Sequence, residues 1–285
     1  MAEGLTTHDS AAGALAGFLA RHANVLVLTG AGLSTASGIP DYRDRDGVRR
    51  GKEPVQGPEF RKSTTVQRRY WARSMLGWPA LAGARPNAGH LALAALEKAG
   101  LVGAVLTQNV DGLHQQAGSQ SVLELHGNIH WAVCLDCGAP VPRALVQDQL
   151  VDANPHVHGT VAAPLPDGDA HFEPSAEAEF RLPWCVRCGG TLMPDVVFFG
   201  DGIPAERAAR ALARMEAADA LLVVGSSLMV YSGFRFCRMA AEAGKPIVAV
   251  NLGRTRADHL IAHKIEESAE RLLPRVMDLL SLGRY

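Results

Sequence analysis

Thr107-Gln-Asn-Val-Asp111-Gly-Leu-His-Gln-Gln-Ala-Gly118 follows an apolar run, Leu101 to Leu106, and its reading decides the fold. The run has the length of a buried strand. A strand that ends in polar residues and then glycine presents amides and a carboxylate at its carboxyl edge, where open α/β sheets bind ligands. Gln108 and Asn109 both donate and accept hydrogen bonds, and Asp111 is suited to take a sugar hydroxyl or to order a water. A second short apolar segment, Val122 to Leu125, then delivers His126 beside Gly127. A lone histidine is most simply a hydrogen-bonded structural residue. This one follows a polar strand end and precedes a glycine, and it is read as a base.

Towards the N-terminus, residues 10–22 are Ala-rich with Leu15, Phe18 and Leu19 at helical spacing. Val25 to Thr29 then reads as a buried parallel strand running into Gly30-Ala31-Gly32-Leu-Ser34. A strand, a Gly-rich turn and a small-residue helix start together suit pyrophosphate, because glycines admit close backbone approach and helix-start amides face the anion. The segment lacks the third glycine of the dehydrogenase fingerprint and continues as Ile39-Pro40-Asp41-Tyr42-Arg43, which argues against ordinary hydride transfer.

The chain of 285 residues has 28 Lys and Arg against 29 Asp and Glu, so no global field selects nucleic acid or a membrane as partner. No apolar run reaches transmembrane length. The start, Met1-Ala-Glu-Gly-Leu, lacks the basic character of a signal peptide and the Arg-rich face of an organelle presequence. A soluble protein of the cytoplasm is expected. Of five cysteines, four form the pairs Cys134-Leu-Asp-Cys137-Gly and Cys185-Val-Arg-Cys188-Gly, and Cys237 stands alone. Two such knuckles supply four thiolates, which close a tetrahedral zinc site and leave no position for water, so one structural zinc ion is expected. Disulfides are disfavoured in a reduced compartment. Residues 138–184 separate the knuckles, and this span, Pro/Gly/His-rich in its later part with His156, His158 and His171, is expected to form an extended loop over the module.

Between Arg43 and Arg73, ten Lys/Arg face four Asp/Glu, most simply a solvated helical surface. If Thr65 to Leu76 is helical, Tyr70 and Arg73 share a face. Further on come an amphipathic helix at about 204–217, a strand from Ala220 to Val224, and Gly225-Ser226-Ser227, whose amides and hydroxyls suit phosphate. A strand from Ile247 to Val250 and a covering helix within Glu266 to Leu282 complete the pattern. Alternating strands and helices with ligands at the strand ends argue for a doubly wound parallel sheet.

Gly30-Ala-Gly-x-Ser-x-x-Ser-Gly-Ile-Pro-Asp-Tyr-Arg43, Thr107 to Gly118 and Leu125-His-Gly127 resemble the three signatures of sirtuins, NAD-dependent protein lysine deacylases. The likeness runs on through the cysteines, Pro194 to Gly200, Gly225-Ser-Ser-Leu228 and Asn251-Leu-Gly253, across residues 11–281. Tyr70-Trp-Ala-Arg73, Gly77-Trp-Pro79 and the Gly225 to Gly233 run look similar to the class II branch. The resemblance implies one catalytic domain over residues 1–285, α/β in class. A Rossmann-type lobe (about 10–43, 85–130 and 190–285) would carry a helical insert (44–84) and a zinc module (131–190). It implies NAD contacts at Gly30, Ala31, Gly32, Ser34, Asp41, Tyr42, Arg43, Gln108, Asn109, Val110, Asp111, Gly225, Ser226, Ser227, Asn251, Leu252, Gly253 and Ala269, with the adenosine ribose on Asn251. Val196, Phe198, Gly200, Val230 and Tyr231 are the implied substrate contacts. Tyr70 and Arg73 are similar to the acyl-pocket pair of desuccinylating and demalonylating members, where an Arg fork selects a carboxylate.

By the same resemblance, the acyl oxygen attacks C1′ of the nicotinamide ribose and nicotinamide leaves. His126, whose ordinary pKa suits a base, then takes a ribose proton beside Asn109 and Asp111. Nicotinamide, O-acyl-ADP-ribose and free lysine would result, with acyl groups larger than acetyl or acidic preferred. The partners implied are NAD and acyl-lysine proteins, in an undetermined oligomeric state. Two alternatives stay open: ADP-ribosyl transfer to protein or water, and an inactive NAD sensor or zinc-ribbon binding module.

Overall fold

The computed structural model describes residues 7–50, 54–157 and 179–282. The elements run α1 (Thr7–Arg21), β1 (Val25–Thr29), α2 (Gly57–Lys62), α3 (Thr64–Gly83), α4 (Ala88–Lys98), β2 (Ala104–Thr107), α5 (Leu113–Gln116), β3 (Val122–Glu124), β4 (Gly127–Cys134) and β5 (Pro140–Pro142). They continue with α6 (Arg143–Ala153), β6 (Leu192–Val196), α7 (Ala205–Ala217), β7 (Ala220–Val224), α8 (Tyr231–Glu242), β8 (Ile247–Val250), β9 (His263–Ile265) and α9 (Ala269–Leu279).

Six strands form a parallel sheet in the order β3-β2-β1-β7-β8-β9. Its strands are short and apolar because both faces are covered. Along β1, Val25 and Val27 pack with Leu15 and Leu19 of α1, Leu93 and Leu96 of α4, and Leu272 and Val276 of α9. Leu26 and Leu28 point the opposite way, to Met215 of α7 and to Phe236 and Ala240 of α8. The two-residue alternation of a strand thus feeds two separate cores.

From β1 the chain builds outward to β2 and β3, and later it returns to the other side with β7, β8 and β9. The order therefore reverses between β1 and β7, and in such a sheet the crevice outside the carboxyl ends at that point binds ligands. A second sheet, β5-β4-β6, is antiparallel. Its core joins Ala132, Val141 and Leu192 to Val146 and Leu150 of α6, and to Phe60, Trp71 and Met75 of α2 and α3. Among the described residues no helix is long and apolar enough to cross a membrane.

Two expectations need correction. The Gly-rich turn after β1 does not start an α-helix. It continues as two short 3-10 turns, Ala31–Leu33 and Thr35–Ser37. Asn87, the N-cap of α4, holds them by donating from Nδ2 to Leu33 O at 2.8 Å and Ser37 Oγ at 2.9 Å. Between the cysteine pairs the chain is not a loop throughout, because Arg143–Ala153 is helical. His156 is exposed, while His158 and His171 lie outside the described residues.

Candidate active site and metal centre

A cavity of about 1620 Å³ opens over the carboxyl ends of β1, β2, β7 and β8 and extends between the two sheets. Glycine shapes its floor. A Cβ on Gly30 would lie 2.8 Å from Ser226 Cβ, and one on Gly32 would lie 2.9 Å from Gly225 O. The ends of β1 and β7 therefore meet backbone to backbone, and Gly32 N donates to Gly225 O at 2.9 Å. Gly30, Gly32 and Gly225 line the cavity floor at this seam, where backbone bare of side chains suits a pyrophosphate lying over it.

Polar groups converge above the seam. Ser34 Oγ donates to Asp111 Oδ2 at 2.7 Å. Asn109 Nδ2 donates to Ser34 Oγ at 3.0 Å and to Gly30 O at 3.1 Å. Gln108 Nε2 donates to Ser226 Oγ at 2.7 Å. All of these line the cavity. Asp111 is also fixed from below, since its Oδ1 accepts from Leu113 N at 3.0 Å. Each polar side chain here is oriented by another, the condition for a site whose geometry is set before its ligand arrives.

His126 lines the same cavity. Its Nδ1 lies 2.8 Å from Gln108 O, and its Nε2 lies 2.8 Å from Ser232 Oγ. A carbonyl only accepts, so Nδ1 carries the hydrogen and Nε2 presents its lone pair. Burial lowers the pKa of His126; the Gln108 carbonyl opposes the shift and the Arg207 charge adds to it. A neutral imidazole with its lone pair towards a cavity is equipped to take a proton.

A second pair of histidines lies beneath the floor. Thr29 Oγ1 donates to Thr107 Oγ1 at 2.8 Å and sits 2.9 Å from His114 Nε2. The rings of His90 and His114 meet edge to face at 5.1 Å. Burial lowers His90 to about 4, against the opposing charge of Asp111. His114 is lowered to about 3, first by burial and then by His90. Both are neutral structural residues near neutral pH.

On the side of the second sheet, Tyr70 and Arg73 both line the cavity from α3. Ser63 caps that helix, its Oγ accepting from Val66 N at 3.3 Å. Tyr70 is seated among Phe60, Trp71 and Phe198, with ring centroids 5.3 to 5.5 Å apart. Arg143 anchors α3 from behind. Its guanidinium lies over Trp71 and Trp78 at 5.4 and 4.8 Å and donates to Ser74 O and Oγ at 3.2 and 3.1 Å. It is fully buried, and burial lowers its pKa to about 10. Sequence reasoning had no signal for this residue, because a buried arginine in a charged helix looks like a surface one.

The cavity brings together the residues expected to contact NAD, with Gly253 as the exception. Gly253 packs against the Arg45 backbone, behind the wall that Asn251 and Leu252 form. Val196, Phe198, Gly200, Val230 and Tyr231 also line the cavity. Ser232, Arg235 and Met229 were missed, although they line it too.

Away from the cavity, Cys134, Cys137, Cys185 and Cys188 form a cluster whose sulfurs all lie within 4.8 Å of one another. Cys134 and Cys188 Sγ are 3.5 Å apart, and Cys137 and Cys185 Sγ 3.8 Å. Four sulfurs about 2.3 Å from one tetrahedral ion stand about 3.8 Å from each other, so the cluster fits zinc. Each knuckle closes on its trailing glycine. Gly138 N donates to Cys134 O at 2.9 Å and Gly189 N to Cys185 O at 2.7 Å, with φ of +69° and +75°. Those left-handed angles suit glycine and strain other residues.

Residues 30–232 match the model of the Sir2 family. The chain is 52% identical over 250 residues to NAD-dependent protein deacetylase 3 of Pseudomonas syringae pv. tomato, covering 87% of this chain and 89% of the relative. It is 53% identical over 260 residues to an NAD-dependent protein deacetylase of Xanthomonas campestris pv. campestris, covering 91% and 89%. Among solved structures, it resembles a Sir2 variant with deacetylated p53 peptide and 3′-O-acetyl-ADP-ribose. That likeness has a TM-score of 0.75 and 29% identity, over 95% of this chain and 99% of the other.

Proposed function

The chain belongs to the Sir2 family, and on that premise we propose how its residues carry out NAD-dependent protein lysine deacylation. The observation that carries the reading is that a neutral His126 and the hydrogen-bonded Asn109–Ser34–Asp111 group line one cavity. Bound NAD supplies an activated ribose carbon, with nicotinamide as leaving group, to which the acyl oxygen is transferred. The Gly30–Gly32 seam and Gly225-Ser226-Ser227 hold the pyrophosphate. Asn251 takes the adenosine ribose at the far end. Asn109, Ser34 and Asp111 orient the nicotinamide ribose and its surroundings, and the interlocked hydrogen bonds keep them in register. His126 takes the proton of a ribose hydroxyl at Nε2. Phe198 and Val196 wall the channel that admits the acyl-lysine and keep water from it. Free lysine, nicotinamide and O-acyl-ADP-ribose leave. The zinc ion, held by four thiolates, is structural and ties β4 to the segment before β6.

The acyl group preferred is one larger than acetyl and acidic. Support comes from Arg73 and the Tyr70 hydroxyl-bearing ring on one face of α3, both on the cavity wall. A guanidinium fork discriminates a terminal carboxylate from a neutral tail. The motifs Tyr70-Trp-Ala-Arg73, Gly77-Trp-Pro79 and Gly225 to Gly233 favour placement in the class II branch. The cytoplasm, where NAD and reduced thiols coexist, is the compartment that suits such an enzyme. Mass spectrometry of acyl-lysine peptides incubated with enzyme and NAD tests the reading. Deacylated peptide with the matching O-acyl-ADP-ribose supports it, and NAD consumption without deacylated peptide refutes it.

A further inference from the structure

We propose that Ser232 is the relay through which His126 reaches its substrate. The inference rests on His126 being the base. Its Nδ1–H is spent on Gln108 O at 2.8 Å, so Nε2 has a single in-plane lone pair, and that lone pair faces Ser232 Oγ at 2.8 Å. A hydroxyl 2.8 Å from an unprotonated ring nitrogen donates to it. Ser232, in turn, lines the cavity. A substrate hydroxyl in the cavity meets Ser232 with no rearrangement, whereas it meets Nε2 only by displacing Ser232.

The arrangement is built into the fold. Ser232 lies in the first turn of α8, and the next residue is Gly233. A Cβ on Gly233 would lie 2.7 Å from Gln108 Cδ and 3.0 Å from its Nε2. A side chain there would push against the Gln108 amide, which its hydrogen bond to Ser226 Oγ holds in place. Glycine lets the first turn of α8 lie close to Gln108 and set Ser232 on His126. Val197 N donates to His126 O at 2.8 Å and fixes the histidine backbone from the β6 side. Within hydrogen-bond reach, the base is enclosed by neutral groups.

The step balances as two concerted proton transfers. The ribose O–H bond breaks as its hydrogen passes to Ser232 Oγ, and the Ser232 O–H bond breaks as its hydrogen passes to Nε2. Ser232 ends as a hydroxyl again, His126 as an imidazolium, and the ribose oxygen as the nucleophile. No other reactant is needed.

Two measurements test this. In the free protein, the 15N signals of His126 report the contact without any turnover. Wild type is expected to show the Nδ1–H tautomer, with a hydrogen-bonded Nε2 that moves downfield in Ser232→Ala and Gly233→Ala and stays in place in Ser232→Thr. Under saturating NAD and acyl-peptide, Ser232→Ala is expected to lose kcat by roughly a hundredfold with KM for NAD unchanged, and Ser232→Thr to recover most of it. An Nε2 signal indifferent to Ser232→Ala would overturn the contact. A Ser232→Ala enzyme with wild-type kcat would overturn the relay, because the substrate would then reach Nε2 directly. A wild type that deacylates nothing, with the 15N result as expected, refutes the relay with the deacylase reading and leaves the contact standing.

Discussion

Ser34 and Asp111 are joined by a 2.7 Å hydrogen bond across the ends of two neighbouring strands. Ser34 follows β1 and Asp111 follows β2, yet one hydroxyl binds both the Asp111 carboxylate and the Asn109 amide. Replacing Asp111 with Asn removes the charged acceptor and forces the whole group to reorganise. A hydrogen bond to a charged group contributes about 1.5–3 kcal/mol. Asp111→Asn is therefore expected to lower kcat/KM for NAD by roughly 10- to 100-fold and to lower Tm as well, because the same bonds tie the turn after β1 to the end of β2. Steady-state kinetics beside a melting curve check it. Unchanged kcat/KM would remove the pair from the site.

The thiolate cluster predicts one zinc per chain by elemental analysis. Metal binding and folding are coupled when ligands come from separate segments. Here they come from the end of β4 and from the Cys185–Cys188 turn before β6. Chelation, or Cys137→Ala, is expected to lower Tm and to abolish turnover by releasing the second sheet. A metal-free protein with unchanged Tm would contradict the assignment.

The buried histidines set an acid limit on stability. His90 and His114 are held near pKa 4 and 3 in the folded chain, below the ordinary 6.5. The folded state keeps them neutral while the unfolded state binds protons below about pH 6.5. Their contribution is thus fully present above that pH and is lost as pH falls towards 4. Each proton taken up by the unfolded chain costs about 1.4 kcal/mol per pH unit over that window. Tm is expected to fall steeply between pH 6.5 and 4.5, and His114→Gln to flatten the fall. A Tm independent of pH across that window would refute this role.

The proposed acyl preference is tested at Arg73, which lines the cavity from α3. Arg73→Met is expected to cut turnover of succinyl- or glutaryl-lysine peptide by at least roughly tenfold relative to acetyl-lysine. Competition between the two peptides in one reaction reads the ratio directly. Equal loss on both would make Arg73 a structural residue of α3.

Much of this architecture was legible in the sequence. Val25–Thr29, Ala220–Val224 and Ile247–Val250 are continuous apolar runs because helices bury both faces, and the strands have those bounds. The knuckles were legible because their chemistry is local. Helix α6 was not, since it buries little more than Val146, Leu150 and the stem of Arg143 among polar neighbours. Glycine spacing suggested a helix after β1. The capping of the 3-10 turns by Asn87, fifty residues on, decided otherwise. Ser232 and Arg143 are defined by partners far along the chain, His126 for one and Trp71, Ser74 and Trp78 for the other. No local pattern encodes such pairings.

The most direct test of the central claim compares wild type with His126→Tyr on a panel of acetyl-, succinyl-, glutaryl- and long-chain acyl-lysine peptides, with NAD binding measured alongside. Burial lowers the pKa of His126, so the comparison belongs at pH 7.5, where the wild-type base is unprotonated. The account predicts free lysine peptide and the matching O-acyl-ADP-ribose from wild type, and near-complete loss in His126→Tyr with NAD binding retained. A His126→Tyr enzyme that deacylates at the wild-type rate would contradict it.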